Sequence, residues 1–328
     1  MTATTTGTAI LGVGAYRGSR AIPNSEIIDK IDSSDEWIRT RSGIVERRWA
    51  TAEETVELMA LNASQEAIER SGVEADQIGL VIVATVTHML QTPSLATMVA
   101  HKVGATDAAA FDISAACAGF CHGLALARDA IKAGSTTYAL VIGVERLSDL
   151  TDPYDRGTAF IFADGAGAAV IGPSDIEGIG PVVWGSDGGN YDLIRQKEDW
   201  LEIIGSENPG MPHIIMEGNS VFRWAVYTMA KVAQQTLEKT GITADELDVF
   251  IPHQANMRIV DALARAAKLP DKVQVADDIT HMGNTSAASV PLAMHAMLAD
   301  GRAKSGDTAL LIAFGAGLAY AAQVVTIP

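Results

Sequence analysis

The fold of this chain is constrained most by short, almost uninterrupted apolar runs that alternate with longer amphipathic segments. Strand-like runs are predicted at residues 8–13, 80–85, 108–113, 138–144, 165–171, 247–251, 273–276 and 308–314. Helical spacing is found between them, notably at residues 53–71, 94–103, 117–133, 220–240, 256–268 and 286–298. Strands that are apolar throughout are typical of sheets covered by helices on both faces. The alternation therefore predicts an α/β fold with helix-covered, mostly parallel sheets.

Two uncharged stretches, residues 78–100 and 308–328, are long enough to be compared with membrane spans. The first contains His88, Gln91 and Pro93, and the second is interrupted by Gly315-Ala316-Gly317. Membrane-spanning segments disfavour these features. We therefore interpret both stretches as buried strands with their connections, and we expect no association with a membrane.

The charge of the chain excludes a further class of function. There are 40 acidic and 24 basic residues, which gives a formal net charge of -16. Binding to nucleic acid requires a basic surface, so no nucleic-acid partner is expected. An anionic ligand would have to find a local group of cations on this acidic protein.

The two cysteines of the chain, Cys117 and Cys121, are one helical turn apart. Such a pair provides no disulfide framework, and residues 1–8 have neither the basic nor the apolar region of a secretory signal. A cytoplasmic location is therefore expected. No cluster of His or Cys with ligand spacing accompanies the pair, so no metal site is expected.

A change in composition divides the chain into two halves. Residues 172–189 are rich in glycine and contain proline, and they separate two regions with many predicted elements. We predict an N-terminal half of residues 1–175 and a C-terminal half of residues 176–328. In each half a strand leads into a helix that starts with small residues, at 113–119 and at 282–288, so the halves resemble each other.

The segment Asp112-Ile113-Ser114-Ala115-Ala116-Cys117-Ala118-Gly119-Phe120 places a cysteine where a predicted strand gives way to a helix. At a helix N-terminus, the macrodipole and the unpaired N–H groups favour a thiolate over a thiol. The position therefore predicts a reactive nucleophile with a lowered pKa. The alternative is a buried cysteine that serves only in packing.

The C-terminal half offers polar partners for this cysteine. In Pro252-His253-Gln254-Ala255-Asn256 a histidine directly follows a strand, at an exposed position, and in Gly283-Asn284-Thr285-Ser286 an asparagine precedes a helix. Sites in α/β proteins gather at the carboxyl ends of strands. The alternatives are a core histidine that forms ordinary hydrogen bonds, and a helix-capping or turn asparagine. At Phe314-Gly315-Ala316-Gly317 backbone N–H groups are predicted to point at a developing oxyanion, unless the glycines serve only a tight turn.

Taken together and in this order, these motifs resemble β-ketoacyl-ACP synthase III. The motifs are Ser-Ala-Ala-Cys-Ala-Gly-Phe, Pro-His-Gln-Ala-Asn-Met-Arg-Ile, Gly-Asn-Thr-Ser-Ala-Ala-Ser and Phe-Gly-Ala-Gly. The resemblance extends from Ile10 to the C-terminus and includes Ser34-Asp35-Glu36-Trp37-Ile38 and Asp155-Arg156-Gly157-Thr158.

This resemblance implies a thiolase-like fold, in which two similar halves form a five-layer α-β-α-β-α sandwich, and a homodimer. It implies that Cys117 is the nucleophile, that His253 and Asn284 serve the condensation, and that the backbone N–H groups of Cys117 and Ala316 form an oxyanion hole. The implied reaction is a decarboxylative Claisen condensation of an acyl-CoA primer with malonyl-ACP. The resemblance implies that the enzyme needs no cofactor, because acyl-CoA is a substrate.

The resemblance also implies binding residues. The candidates for CoA binding are Trp37, Arg41, Arg156, Met216, Gly218, Asn219, Phe222 and Asn256. The candidates for docking of the acyl carrier protein are Arg223, Arg258 and Arg265. The candidates for the primer pocket are Leu90, Thr92 and Phe314. Thr92 stands where acetyl-selective members often carry phenylalanine, so propionyl, butyryl or branched primers are expected as well as acetyl.

Related activities fit the sequence less well. Biosynthetic thiolases use a second cysteine near the C-terminus, and none follows Cys121. Hydroxymethylglutaryl-CoA synthases use a glutamate, and residues 84–93 contain no equivalent. An acyltransferase of the same fold that works without decarboxylation remains the alternative, and Asn284 counts against it. A non-catalytic subunit of a synthase complex would not need Cys117, His253 and Asn284 together. The choice between a fatty-acid and a polyketide pathway stays open.

Overall fold

The computed structural model describes residues 7–207 and 209–328. The prediction that residues 1–8 carry no secretory signal therefore lies almost wholly outside the described residues. Within them, no helix is both long enough and apolar enough to span a membrane.

Strands and helices alternate along the chain. The strands are β1 (Gly7–Arg17), β2 (Arg20–Pro23), β3 (Glu46–Trp49), β4 (Ile78–Ala84), β5 (Ala109–Ile113), β6 (Tyr138–Arg146), β7 (Asp164–Ser174), β8 (Val183–Ser186), β9 (Ile194–Gln196), β10 (Ile214–Met216), β11 (Val249–Pro252), β12 (Gln274–Val275), β13 (Thr308–Gly315) and β14 (Ala319–Thr326). The helices are α1 (Asp35–Ser42), α2 (Val56–Ser71), α3 (Leu95–Val103), α4 (Gly119–Lys132), α5 (Trp200–Ile204), α6 (Gly218–Thr240), α7 (Met257–Ala266), α8 (Ile279–Met282) and α9 (Ser289–Asp300). Each strand and helix predicted from periodicity is present, with ends that differ by a few residues.

Two five-stranded sheets have the same topology. Their strand orders are β1-β7-β6-β4-β5 and β8-β14-β13-β11-β12, so each strand of the first sheet has a counterpart in the second. The pairings among β4, β5 and β6, and among β11, β12 and β13, are parallel, whereas β1, β7, β8 and β14 pair antiparallel. The prediction of mostly parallel sheets is therefore only half right. The reason is that the chain returns from β6 to β7 and from β13 to β14 without an α-helical crossover, which a parallel pair would require.

The sheets and helices form five layers. Helices α4 and α9 lie between the sheets, where residues such as Phe120 and Met294 pack against apolar side chains of both sheets. Helices α2 and α3 cover the outer face of the first sheet, and α6 and α7 cover that of the second. Because both faces of each sheet are covered, the central strands are apolar throughout. The fold is the thiolase-like α-β-α-β-α sandwich.

The first sheet ends with β7 at Ser174 and the second begins with β8 at Val183. The proposed division between residues 175 and 176 falls in the segment that joins them. The two halves contribute jointly to the central layer, so each half alone would expose an apolar face. The division stays a proposal about repeated halves that share one core.

A polar hairpin outside the two sheets has no apolar signature, and the connection between its strands contains the candidate residues Trp37 and Arg41. Strands β2 and β3 pair around Arg47, which is fully buried and donates hydrogen bonds to the carbonyl oxygens of Ile22 (2.9 Å) and Phe160 (3.0 Å). Burial lowers the pKa of the Arg47 guanidinium to about 10. The hairpin and α1 position Trp37 against Phe160, with their ring centroids 5.3 Å apart.

Candidate active site

The centre of the site is built from two turns that lead into helices and have similar backbone conformations. The first elbow, residues 114–119, joins β5 to α4, and the second elbow, residues 284–289, leads into α9. Ala116 and Ser286 hold φ angles of 44° and 49°, and each begins a 3-10 turn directly before the helix. Left-handed backbone at residues other than glycine costs about 1–3 kcal/mol and clusters at functional sites.

Cys117 lies in the middle of the 3-10 turn of the first elbow, and α4 begins two residues later at Gly119. The prediction that the helix starts at Cys117 is therefore wrong by one short turn. Close packing against β13 holds the residue in place: a Cβ atom at Gly315 would lie 2.8 Å from Cys117 Cβ and 3.0 Å from Cys117 Sγ. Only glycine at position 315 leaves room for the thiol.

The electrostatic surroundings of Cys117 differ from those predicted. The pKa of the Cys117 thiol is raised to about 12, chiefly by burial; a hydrogen bond with Ser286 opposes the rise, and the carboxylate of Glu145 adds to it. The predicted lowered pKa is wrong, because the cost of desolvating a thiolate outweighs the effect of the nearby helix end. A thiol with this pKa is protonated at neutral pH and needs a proton acceptor before it can react.

His253 follows β11 and is only 2% exposed, so the prediction of an exposed histidine is wrong. Its Nδ1 atom is 2.7 Å from Ser289 Oγ, which also accepts a hydrogen bond from the backbone N–H of Gln254 at 3.4 Å. When the hydroxyl of Ser289 donates to Nδ1, the imidazole proton is on Nε2. Burial lowers the pKa of His253 to about 3, so the ring is neutral, and in this tautomer it presents an Nε2–H donor.

Asn284 is held by its backbone and by one side-chain oxygen. Its N–H donates to the carbonyl of Ile161 and its carbonyl accepts from the N–H of Ala163, both at 2.9 Å. Oδ1 accepts a hydrogen bond from the N–H of Ser286 at 2.8 Å. A bond from a backbone N–H to an asparagine side chain two residues earlier is typical of a turn asparagine, which was one of the alternatives given for this residue. Because Oδ1 is occupied in this way, the amide nitrogen Nδ2 is left as a donor in a fixed orientation.

A cavity of about 700 Å³ adjoins the first elbow. Cys117, Ala116, Ser286 and Ala316 contribute to its wall. The larger apolar residues of the wall are Val86, Met89, Leu90, Phe111, Ile113, Leu147, Leu150, Phe162, Ile194, Trp200 and Ile214. The structure therefore brings together the predicted nucleophile, the predicted oxyanion-hole residue Ala316 and one predicted primer residue, Leu90.

Two predicted primer residues lie elsewhere. Phe314 is 2% exposed and its ring packs edge-on against His253, with a centroid distance of 5.4 Å. Alternation along β13 turns Phe314 with Leu310 and Ile312 toward α6 and α7. Phe314 does not line the cavity of about 700 Å³, and its assignment to the primer pocket stays a prediction. Thr92 is exposed, on the loop that follows β4, and does not line the cavity of its own chain.

Three of the candidate CoA-binding residues, Trp37, Arg41 and Arg156, form a group at α1. The guanidinium carbons of Arg156 and Arg41 lie 4.8 Å and 5.7 Å from the ring centroid of Trp37. Trp37 and Met216 pack against the same apolar cluster, and Gly218, Asn219 and Phe222 follow in the first turns of α6.

Asn256 is placed differently from the other CoA candidates. It caps α7, where its Oδ1 accepts the N–H of Arg258 at 2.9 Å and its Nδ2 donates to the carbonyl of Arg41 at 3.0 Å. Both of its polar groups are therefore occupied by the protein. The contact places Asn256 in a supporting position beside Arg41.

Three exposed arginines form the candidate docking surface for a carrier protein. Arg223 lies on α6, and Arg258 and Arg265 lie on α7. The guanidinium carbon of Arg258 is 5.4 Å from the ring centroid of Phe222. Over residues 7–207 and 209–328, none of the three arginines is in an ion pair. On a chain with a net charge of -16, they are free to receive an acidic partner.

Sequence reasoning missed three residues of this site: Glu145, Ser286 and Ser289. The available signals were an acidic residue at the end of an apolar strand, and two serines three residues apart after Asn284. No group of three or more His, Cys, Asp or Glu arranged to hold a metal ion occurs in the described part of the chain.

Fold and site together define a two-sheet α/β protein with a cysteine and a histidine after the carboxyl ends of strands β5 and β11, and an asparagine in the turn before α9. The sequence model for 3-oxoacyl-[acyl-carrier-protein (ACP)] synthase III matches residues 111–188, and the model for the C-terminal part of that enzyme matches residues 237–327. The β-ketoacyl-[acyl-carrier-protein] synthase III of Streptomyces glaucescens is 59% identical over 319 residues, which is 97% of this chain and 96% of the relative. The mycobacterial enzyme of that name from Mycobacterium marinum is 53% identical, covering 99% and 98%.

Solved structures agree with these matches. The priming β-ketosynthase of the R1128 polyketide biosynthetic pathway superposes with a TM-score of 0.96 at 45% identity, over 98% of this chain and 96% of that one. The 3-oxoacyl-[acyl-carrier-protein] synthase III of Aquifex aeolicus superposes with a TM-score of 0.91 at 38% identity, over 98% and 100%. The chain belongs to the β-ketoacyl-ACP synthase III family.

Proposed function

We propose that this chain condenses an acyl-CoA primer with malonyl-ACP, with loss of carbon dioxide, through an acyl group carried on Cys117. The observation that carries this proposal is the placement of Cys117 at a cavity of about 700 Å³, with the neutral donors His253 and Asn284 on the neighbouring elements. Relatives named β-ketoacyl-[acyl-carrier-protein] synthase III and a priming β-ketosynthase support it. As in those relatives, the reaction would start a fatty-acid or polyketide chain.

In the first half-reaction the sulfur of Cys117 attacks the thioester carbonyl of the acyl-CoA. The carbonyl oxygen becomes negatively charged, and the backbone N–H groups of Cys117 and Ala316 stabilise it. CoA leaves as a thiolate, and the acyl group remains on Cys117 as a thioester. This half-reaction requires no donor from His253 or Asn284.

In the second half-reaction malonyl-ACP loses carbon dioxide, and the negative charge moves onto its thioester oxygen as an enolate. The Nε2–H of His253 and the Nδ2–H of Asn284 donate hydrogen bonds to that oxygen. A donor that is aimed at developing charge contributes roughly 3–4 kcal/mol. The enolate carbon then attacks the acyl group, Cys117 is released, and the product is a β-ketoacyl-ACP. No cofactor is proposed, since acyl-CoA is consumed as a substrate.

Local cations would deliver both substrates to the acidic protein. Trp37 offers a face for the adenine of CoA, and Arg41 and Arg156 beside it offer charge for the phosphates. Met216, Gly218, Asn219 and Phe222 would contact the rest of CoA. The unpaired Arg223, Arg258 and Arg265 would dock the acidic carrier protein.

We further propose that the enzyme is a cytoplasmic homodimer. Strand β5 is at the edge of its sheet and exposes Phe111, which is 42% accessible. An unpaired edge with an exposed aromatic ring is suited to pairing with a second copy. Such a dimer would bring the exposed loop that carries Thr92 to the partner's primer cavity, where its small side chain would leave room for primers longer than acetyl.

The function is tested by incubating the protein with labelled acyl-CoA and then adding malonyl-ACP. We expect a labelled enzyme in the first step, and carbon dioxide release with a β-ketoacyl-ACP in the second. Acylation followed by transfer without carbon dioxide release would instead identify an acyltransferase. Competition between acetyl-CoA and isobutyryl-CoA tests the primer pocket, and a strict acetyl preference would contradict the role of Thr92.

A further inference from the structure

A buried arginine connects the candidate CoA site with the second elbow. Arg47 lies on β3 and is completely inaccessible to solvent. Across residues 7–207 and 209–328, its guanidinium forms no ion pair. Burying a charge without a counter-ion is costly unless hydrogen bonds compensate for it. The hydrogen bonds of Arg47 therefore indicate what a charged residue does at this position.

The guanidinium holds two other segments of the chain against β3. Nη1 donates to the carbonyl oxygen of Ile22 at 2.9 Å. Nη2 donates to Asn24 Oδ1 at 2.6 Å and to the carbonyl oxygen of Phe160 at 3.0 Å. Because a guanidinium is planar and its donors have fixed directions, these bonds set the orientation of the two segments as well as their distance.

Asn24 extends this support to α1. Asn24 is buried, and its Nδ2 donates to Asp35 Oδ1 at 2.7 Å and to the carbonyl oxygen of Ile44 at 3.0 Å. Asp35 is the first residue of α1, and Trp37 is in the same turn. Since Oδ1 of the Asn24 amide accepts from Arg47 while Nδ2 donates to Asp35, one amide joins the guanidinium to the start of the helix that carries Trp37.

Phe160 connects the guanidinium to both sites. Its ring packs edge-on against Trp37, with ring centroids 5.3 Å apart, and its carbonyl oxygen accepts from Arg47. The carbonyl oxygen of the next residue, Ile161, accepts the backbone N–H of Asn284 at 2.9 Å. The chain from Phe160 to Ile161 therefore links the guanidinium to the peptide that carries Asn284.

The aliphatic part of Arg47 packs against the residue that precedes the second elbow. A Cβ atom at Gly283 would lie 2.7 Å from the Cβ of Arg47 and 2.9 Å from the Cβ of Ala163, and Gly283 has a φ angle of 77°. The N–H of Ala163 donates to the carbonyl oxygen of Asn284 at 2.9 Å. The backbone that leads into Asn284 is therefore enclosed by Arg47 and by the segment that Arg47 holds.

We propose that Arg47 is a positioning residue that fixes the ring of Trp37 and the amide of Asn284 relative to each other. This inference rests on the proposed function, which assigns Trp37 to CoA and Asn284 to the enolate. Asn24 carries the support to Trp37, and the segment that begins at Phe160 carries it to Asn284. Loss of Arg47 therefore weakens CoA binding and slows carbon dioxide release, whereas the first elbow keeps its reactivity.

The first measurement is the dissociation constant of CoA by isothermal titration calorimetry, which requires no catalysis. Arg47→Met keeps much of the side-chain volume but has no donors, and we expect it to bind CoA about tenfold more weakly. The matched control is Arg48→Met, because Arg48 is the next residue of β3, is partly exposed and pairs with Glu46 at 3.6 Å. This control should bind CoA like the wild type.

The second measurement is carbon dioxide release from saturating malonyl-ACP by the acylated enzyme. We expect Arg47→Met to release carbon dioxide about tenfold more slowly, because the backbone of Asn284 has lost part of its support. Single-turnover acylation at saturating acyl-CoA should stay within a few-fold of the wild type. A variant that only reduces the folded fraction would slow both half-reactions equally.

Asn24→Ala separates the two directions of support. It removes the connection to Asp35 but leaves the bond from Arg47 to Phe160, so we expect weaker CoA binding with carbon dioxide release near the wild-type rate. If Arg47→Met does not fold, Arg47→Lys takes its place. Lysine keeps the charge but lacks the planar pair of donors, so this variant should also show both losses.

Wild-type CoA affinity and carbon dioxide release in a folded Arg47 variant would overturn the inference. Equal slowing of acylation and carbon dioxide release, or the same losses in Arg48→Met, would also overturn it. Failure of the wild type to become acylated would instead contradict the proposed function, while the CoA titrations would still test the support of Trp37 by Arg47.

Discussion

The two elbows have similar backbone conformations but opposite chemistry. Both consist of a residue with positive φ, a 3-10 turn and then a helix. At equivalent positions the first elbow has Ala116, Cys117 and Gly119, whereas the second has Ser286, Ala287 and Ser289. The first elbow presents a single sulfur among small residues. The second presents hydroxyl and amide groups, and its position equivalent to Cys117 carries only a methyl group.

This difference shows how a repeated fold can separate the two halves of one reaction. The first elbow would hold the acyl group, which is the electrophile. The second would orient what acts on it: the backbone N–H of Ser286 holds Asn284, which would face the enolate, and Ser289 contacts His253. The following predictions test that division, from the largest expected effect to the smallest.

Removing the sulfur should abolish the function of the first elbow. We expect Cys117→Ala to form no acyl-enzyme with any acyl-CoA, as measured by intact-protein mass spectrometry. The control is Cys121→Ala, because Cys121 is one turn further along and fully buried, and this variant should still be acylated. Normal acylation of Cys117→Ala would refute the assigned nucleophile.

Removing the amide donor of the second elbow should affect only condensation. Asn284→Asp keeps the oxygen that accepts the N–H of Ser286 but replaces the donor with a negative charge. We expect carbon dioxide release from malonyl-ACP to fall by about 100-fold to 1,000-fold, while single-turnover acylation stays within a few-fold of the wild type. His253→Ala should show the same pattern. Equal loss in both half-reactions would contradict the separation.

Removing the hydroxyl of Ser289 should have a smaller effect on the same step. Without it, Nδ1 of His253 loses its partner at 2.7 Å, and the imidazole proton is no longer directed to Nε2. We expect Ser289→Ala to slow condensation about tenfold, which corresponds to one hydrogen bond of about 1.4 kcal/mol. Acylation should be unchanged, and Ser289→Thr, which restores a hydroxyl, should recover most of the rate. No change in condensation would show that the histidine is oriented by other contacts.

Exchanging residues between the elbows should affect stability more than chemistry. A Cβ atom at Gly119 would lie 2.6 Å from the Cβ of Ala84, so Gly119→Ser, which copies Ser289, should overpack the central layer. We expect the free energy of unfolding to decrease by about 1–3 kcal/mol, measured with denaturant. Gly188→Ala is the control, since nothing lies within 4 Å of a Cβ atom there. If both variants were equally stable, the first elbow would be looser than the structure shows.

Much of the fold could be predicted from the sequence because strands that are covered on both faces are apolar at nearly every position, which is easily recognised in the sequence. Val81 and Ile82, for example, are both fully buried, on opposite faces of β4. The hairpin of β2 and β3 was not predicted. It is held by hydrogen bonds from Arg47 to carbonyl groups that are distant in the sequence. Such bonds produce no periodic pattern of apolar residues, so they cannot be recognised in the sequence.

The meeting of two predicted residues at one cavity could be foreseen from the sequence, but the electrostatics around them could not. Cys117 and Ala316 do lie together at the cavity. The raised pKa of Cys117 depends on burial and on Glu145, which is separated from it by the whole of α4. The side chain of Phe314 points toward α6 and α7 because side chains alternate between the two faces of β13 up to the end of the strand. Such properties arise only when distant segments meet.

The central claim, that Cys117 holds an acyl group for a carbon nucleophile, is tested most directly by mass spectrometry of the wild-type protein. Acyl-CoA is added first, the acylated peptide is mapped, and malonyl-ACP is then added while carbon dioxide is measured. We predict a single acyl group on Cys117 that disappears as an equal amount of carbon dioxide and β-ketoacyl-ACP is formed. Loss of the acyl group without carbon dioxide release, or an acyl group on another residue, would contradict the account.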